Sequence, residues 1–409
     1  MNKDFYHIHY SYFNPVHLKM YKSFGLSNDG AKFFHDVSLA FGFNAYVPRD
    51  GVWSTPWDGH LQVEPNNTMP DLDPGFSKSF GQILDESAQL IGYDIDRYNH
   101  KFIVPYSGGI DSTCIMVSLL KNLDKEQLKN ICVSMSFDSI AENPYFYSEF
   151  IEDKFLLHDS HNYDLVPLCD KGWRIVIGDQ GDALFGTELG TKFYASLHHY
   201  ITDDKQCQTV RENIINPNFH YSSIKEHIIQ HFNNCLKAKT TNPTPWFGEK
   251  YYNRLVHNIK TSKVEISSIH DFFWWIIFNI KYMHCAMRAG SIQSWGRDRS
   301  KVYETMVHFF GSQDFQKWSM VNNYNGQKIQ NSFQGRYKIA AKDYIHKFDK
   351  NDWYYWYKIK IPSKPLVVNR KFNEREQHTF GIDTDYQMVY LTDPGVEDYF
   401  YESLKKFEV

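Results

Sequence analysis

FIVPYSGGIDST, residues 102–113, decides the reading of the fold. The unbroken apolar run Phe102–Val104, closed by Pro105 and Tyr106, reads as a strand buried on both faces. Ser107-Gly108-Gly109 reads as a tight turn, because two glycines accept backbone angles that other residues resist. From Asp111 to Leu123 the apolar residues recur at helical spacing. A strand, a glycine turn and a helix form the repeating unit of a parallel sheet. Further along lie ICVSMSF (131–137), a helical stretch near 145–156 and RIVIG (174–178). The alternation predicts an α/β fold, a doubly wound parallel sheet in which 103–106, 131–137 and 174–178 are neighbouring parallel strands.

Around this centre the pattern changes. Residues 1–75 mix short aromatic runs with proline and glycine and read as irregular α+β structure; 76–95 read as a helix. After about residue 187 the chain becomes helical and aromatic, and 271–289 (DFFWWIIFNIKYMHCAMRA) is apolar nearly all round, as a buried helix is. The last stretch, with Pro362, Pro365, Gly381 and Pro394, reads as an extended, strand-bearing tail. The expected division is a small N-terminal α+β lobe at 1–95, the sheet domain with a helical lobe at 96–350, and an extended C-terminal tail at 351–409.

The chain of 409 residues is 42% hydrophobic and 22% charged, enough for a sizeable core shared by two or three lobes. Its net charge of −4 gives no basic face for general nucleic-acid binding. One basic cluster, Lys358, Lys360, Lys364, Arg370, Lys371 and Arg375, reads as solvated surface, with an RNA contact as the alternative. The six cysteines form no CxxC pair, which argues against a zinc knuckle, an iron–sulfur cluster or a disulfide framework. The N-terminus lacks the apolar core of a signal peptide, and the longest apolar stretch, Phe272–Ile280, is too short to span a bilayer. A cytoplasmic protein without a membrane anchor is expected.

SGGIDST carries the chemistry. The glycine turn and the helix start aim backbone N–H groups and partial positive charge at one place, and Ser107, Ser112 and Thr113 add hydroxyls. Such a cradle fits a polyanion, with pyrophosphate its natural occupant; a plain helix cap is the alternative. Asp111 beside a phosphate would be repulsive without a cation, and Mg²⁺ binds one or two carboxylates together with phosphate oxygens. No Walker A or GxGxxG motif occurs. The second signal is RIVIGDQGDALFG, residues 174–186, a strand running into an acidic, glycine-bearing turn (Asp179, Gly181, Asp182). Loops at the C-terminal ends of parallel strands form the ligand crevice of an open sheet, and one anion-binding loop with one acidic loop suits Mg–ATP.

Together the two segments resemble the synthetase domain of the asparagine synthetase family, within the PP-loop ATP pyrophosphatases, whose SGGxDS loop is followed by a GEGSDELFGGY-like loop. The resemblance covers mainly residues 100–190. It implies ATP cleavage to AMP and pyrophosphate, adenylation of a small-molecule carboxylate, and attack by ammonia or an amine. By resemblance Asp111 and Asp182 would hold Mg²⁺, and Pro105, Ile177 and Gly178, with Ser107–Gly109, Ser112 and Thr113, would meet the nucleotide. Met135 would lie at adenine, Asp179 would handle the amine, and Lys338, in GRYKIAAKDYI, would stand over the α-phosphate. Lys342 lies one turn on; two solvent-facing lysines are the plain alternative. The chain departs from the family at Asp179, Gln180 and Ala183, where that loop has glutamate, glycine and glutamate. Residue 2 is Asn rather than the nucleophilic cysteine of glutamine-dependent members, so no glutaminase is expected within the chain and a separate one is a possible partner. A base-modifying PP-loop enzyme acting on tRNA and a non-catalytic nucleotide-binding protein are the competing readings.

His7, His9 and His17 read as surface histidines rather than a metal centre. His227 and His231 lie four apart without the glutamate of HExxH, and Arg297, Asp298 and Arg299 read equally as a substrate-pocket lining or an ion-pair cluster.

Overall fold

The computed structural model describes residues 33, 36–37, 39–41, 49, 69–159, 166–186, 220–260, 262–266, 268–282, 304–324 and 338–358. These fall into two compact units. A sheet unit is built from described residues within Phe80–Gly178, Ile292–Phe309 and Ile339–Val409; a helical unit is built from those within Met1–Ser79, Asp179–Ser291 and Phe310–Lys338.

The sheet unit holds five strands, β1 (Lys101–Pro105), β2 (Ile131–Met135), β3 (Leu156–Asp159), β4 (Trp173–Ile177) and β5 (Met306–His308), in the order β3-β2-β1-β4-β5. Every pairing is parallel, with Ile103 opposite both Cys132 and Ile175. The three expected strands are therefore neighbours, and the fold is α/β with an all-parallel sheet flanked by helices. The order reverses between β1 and β4, and both strands end at the same edge of the sheet, one leading into Tyr106 and the other into Gly178.

Helix α1 (Phe80–Tyr98) buries Phe80, Ile83, Leu84, Ala88, Ile91 and Ile95, a stripe at helical spacing. It ends where Asn99 turns left-handed (φ 53°) and donates to the Ile95 carbonyl at 2.9 Å. The sequence boundary near residue 95 thus falls inside a helix of the sheet unit. Helix α2 (Ile110–Asn122) is buried almost all round, from Ile110 to Leu119. Asp85 of α1 ties three elements together: it accepts from Lys121 (2.9 Å) and Asn122 (2.8 Å) of α2 and from the Tyr344 hydroxyl (2.5 Å) of the helix Ile339–Asp349.

Two expectations fail here. The helix near 145–156 stops early: a turn at Pro144–Phe146 and a π turn at Tyr147–Ile151 give way to β3 at Leu156. The tail is not extended at its start, since Asp352–Tyr357 is helical, capped by the Asn351 side chain accepting from Tyr354 N at 3.0 Å. Residues 359–409 lie outside the described residues.

In the helical unit, α3 (Gly181–Phe185) is the end of the second motif; α4 (Lys225–Lys237), α5 (Phe247–Ile259), α6 (Ile269–Trp275) and α7 (Gln313–Tyr324) are further helices of that unit. The apolar stretch forms α6 and a π turn, Ile276–Lys281, and every residue from Phe272 to Tyr282 is buried. Arg49 is buried there too. Its guanidinium donates to the Phe278 carbonyl (2.7 and 3.1 Å) and to Gln316 Oε1 (2.5 Å), and lies over the Tyr282 ring at 3.8 Å. A buried guanidinium is tolerable only with such acceptors around it. Among the described residues no helix is long and apolar enough to cross a membrane.

The Asp85 hub generates a prediction. Its burial favours the neutral acid, but the bonds from Tyr344, Asn122 and Lys121 outweigh burial and hold its pKa below the usual value. The stabilisation is present above the unfolded carboxylate range and is lost as pH falls through the lower folded pKa. Asp85→Ala should lower unfolding free energy by about 2 kcal/mol at pH 7, and the difference from the unaltered protein should narrow in acid; urea titrations at pH 7 and pH 3 check both.

Candidate functional site

The first motif leaves β1 as the sequence predicts. Gly108 adopts φ +74°, and a β-carbon there would lie 2.5 Å from the Ser139 carbonyl oxygen and 2.8 Å from Glu142 Cβ. Conformation and space both require glycine. Gly109 caps α2 without any side-chain cap, and Thr113 N donates to its carbonyl at 2.9 Å. The first N–H groups of a helix have no intrahelical carbonyl to bond, which gives a helix start its affinity for anions.

The hydroxyls brace the loop from within. Ser112 Oγ donates to the Gly109 carbonyl (3.1 Å) and accepts from Ser107 N (3.2 Å), and the two serine oxygens lie 3.2 Å apart. Ser107 Oγ accepts from Gly109 N at 3.3 Å. The serines are thus framework, and the start of α2 lies directly beyond the loop they brace.

Sequence reasoning missed what stands behind this loop. The Tyr354 hydroxyl donates to the Gly108 carbonyl at 3.0 Å and lies 3.3 Å from Thr113 Oγ1. Lys358 is buried in an ion pair with Glu142, the residue packed against Gly108. It is not the solvated surface lysine expected, because the helix ahead of it turns it into the core. Lys360, Lys364, Arg370, Lys371 and Arg375 lie outside the described residues. The only advance signal was the aromatic run DWYYWY, which reads equally as strand.

Lys342 is wholly buried, and among the described residues its ammonium has no hydrogen-bond partner. Burial, and secondarily the nearby charge of Lys358, push its pKa down to about 8. The plain alternative of two solvent-facing lysines fails for both Lys338 and Lys342, since each is buried.

The second motif opens the helical unit. Asp179 is half-buried and Gln180 buried; α3 ends at Gly186, whose φ of +63° places a hypothetical β-carbon 2.5 Å from Trp274 Cα. Ser319 fixes this segment: its hydroxyl donates to the Leu184 carbonyl (2.6 Å) and accepts from Trp274 Nε1 (3.0 Å). Lys338 Nζ lies 2.7 Å from Asp182 Oδ1 and 5.7 Å from the Phe185 ring centre. Lys338 also holds φ +50°, a left-handed conformation unusual outside glycine. Strain of this kind collects at functional positions.

The remaining candidates are placed as follows. Pro105 and Gly178 are half-buried at the strand ends, Ile177 is buried, and Met135 is wholly buried at the end of β2. His231 is buried with Cys235 Sγ 3.6 Å from its Nε2. His7, His9, His17, Arg297, Asp298 and Arg299 lie outside the described residues. Among the described residues no group of three or more His, Cys, Asp or Glu gathers as a metal centre. A magnesium ion held by one or two carboxylates and phosphate oxygens needs no such group. No protein-family model, curated protein or solved structure matches the chain.

Two predictions follow from the lysines. Asp182→Ala removes the carboxylate 2.7 Å from the buried Lys338 ammonium and should cost about 3 kcal/mol of stability. Adding Lys338→Met should restore most of that loss in urea unfolding, since it removes the buried charge. For Lys342, the unfolded lysine binds its proton up to about pH 10.5 and the folded one only to about 8. Between those values the unfolded chain holds more protons, so stability should climb with pH by up to about 3 kcal/mol. Lys342→Met should remove that rise and stabilise the free protein at pH 7, as read by urea titrations from pH 7 to pH 10.

Proposed function

We propose that this chain is an ATP-dependent amide ligase of the PP-loop type, resembling asparagine synthetases, that activates a carboxylate as its adenylate. The observation that carries the reading is the loop 107–109: it joins the end of a central parallel strand to the start of a 13-residue helix and is fixed in shape by Gly108, Ser112 and Tyr354. Its helix-start N–H groups suit the β- and γ-phosphates of ATP. The departure of the second motif segment from the neighbouring strand β4, at the same sheet edge, supports the reading further.

In this reading a substrate carboxylate oxygen attacks the α-phosphorus, the bond to the bridging oxygen breaks, and pyrophosphate leaves with the electron pair. Ammonia or an amine then attacks the acyl carbon and AMP departs. Lys338 offsets negative charge growing at the α-phosphate. Asp179 takes the proton lost by the attacking amine. Asp111, in the first turn of the helix after the loop, is the carboxylate that would hold Mg²⁺, which when bound supplies charge neutralisation of the departing pyrophosphate.

The test is nucleotide analysis with Mg–ATP, ammonium and a panel of carboxylic acids. AMP and pyrophosphate should appear together, and ADP as the sole product would exclude the mechanism. Asp111→Asn should slow turnover at least about a hundredfold. Asp179→Asn should slow amide formation while ATP–pyrophosphate exchange persists; equal loss of both would assign Asp179 to the nucleotide.

A further inference from the structure

Gln180 sits between Asp179 and Gly181, where the resembling loop has glycine. Its backbone is occupied: the carbonyl accepts from Ala183 N at 2.9 Å and Leu184 N at 3.2 Å. Its side chain is not. The residue is only 2% exposed, and among the described residues neither Nε2 nor Oε1 has a hydrogen-bond partner. A buried carboxamide with both ends unmet is unfavourable compared with an apolar side chain of the same shape. A small residue would carry no such penalty, so the free protein bears a folding disadvantage at this position.

The chemistry of the amide limits what could answer it. Its oxygen needs a donor, and its nitrogen, bearing two protons, needs acceptors. A carboxylate satisfies the nitrogen and repels the oxygen; an ammonium does the reverse. A trans peptide bond turns its N–H and C=O to opposite sides, so one bond cannot meet both ends of the carboxamide edge. A primary carboxamide, a ureido group or a lactam carries an N–H and a C=O on one edge and meets both.

We propose that Gln180 reads such an amide edge on the acid that the chain activates, so that the substrate is a carboxylic acid bearing a carboxamide, ureido or lactam group. This rests on the ligase reading for the word substrate, but the amide pairing can be measured without turnover.

The probes are L-pyroglutamate against cyclopentanecarboxylate, and N-carbamoyl-β-alanine against 5-oxohexanoate, each pair matched in shape and differing in the amide edge. In thermal unfolding, each amide-bearing acid should stabilise the protein more than its counterpart, and Gln180→Met should abolish the difference. In ATP–pyrophosphate exchange, the amide acids should half-saturate at least about tenfold lower, a preference that Gln180→Met and Gln180→Glu both remove. The free Gln180→Met protein should melt higher than the unaltered one, because an unmet amide has been replaced by a thioether. A lower melting temperature would mean that the amide, or a water bound to it, is structural, and would overturn the proposal. Equal response of the unaltered protein to both members of each pair would overturn it as well. A Gln180→Met variant whose ATP half-saturation changes while the acid preference remains would show that adenine, not the acid, is read. Absence of exchange with every acid would sink the ligase reading alone; the melting comparisons would still decide Gln180.

Discussion

The turn at Gly108 is the constraint on which the sheet unit's functional end depends. With φ +74° and the Ser139 carbonyl where a β-carbon would be, the loop can close only over the segment 139–143. That closeness brings Glu142 against the loop, and Glu142 in turn holds Lys358. Lys358 follows the one-and-a-half-turn helix that carries Tyr354, whose hydroxyl returns to the Gly108 carbonyl. The loop's rigidity therefore comes from residues some 250 positions downstream in the chain, and not from its own serines alone. A pre-shaped set of N–H groups loses little freedom on meeting an anion, which is the general route by which rigid loops gain affinity.

Charge is distributed differently in the two units. In the helical unit Lys338 has a carboxylate, Asp182, at 2.7 Å. In the sheet unit Lys358 has Glu142, while among the described residues Lys342 has no such partner; burial, and then the charge of Lys358, depress its pKa. A buried ammonium without a counter-ion is disfavoured in the free protein. An anion that brought compensating charge would relieve it, so the free state is less stable than the fold's apolar core alone would make it. The same trade between stability and function is general in binding sites.

The sheet was legible because Phe102–Val104 of β1, Ile131–Val133 of β2 and Ile175–Ile177 of β4 are buried and so appear as unbroken apolar runs. β3 was hidden because Leu156–Asp159 is short and half polar, and β5 because Met306–His308 is three half-buried residues with no run at all. The loop 107–113 was legible because its glycines have a steric reason visible in the sequence. Its supports were not: Tyr354 and Lys358 act through tertiary contact, and DWYYWY has the composition of a strand while an Asn351 cap makes it a helix. Lys338 and Lys342 were found by position, yet burial could not be inferred from two lysines at a helix start.

Gln180 shows why a departure from a resembling motif carries more information than agreement with it. Agreement at Ser107–Thr113 says what a loop of that shape can hold, and many substrates share a triphosphate. A difference has to be accommodated by the fold. At residue 180 there were three ways to do so: turn the amide to solvent, bond it internally, or bury it unmet. The chain does the third, although Asp179 beside it is partly open to solvent. Turning outward would cost little for a long flexible side chain at the edge of a turn. The inward course therefore calls for a compensating interaction, and among the described residues no side chain or backbone group supplies it. A molecule that arrives with a donor and an acceptor side by side would supply it, and that is the physical basis of the proposal for Gln180.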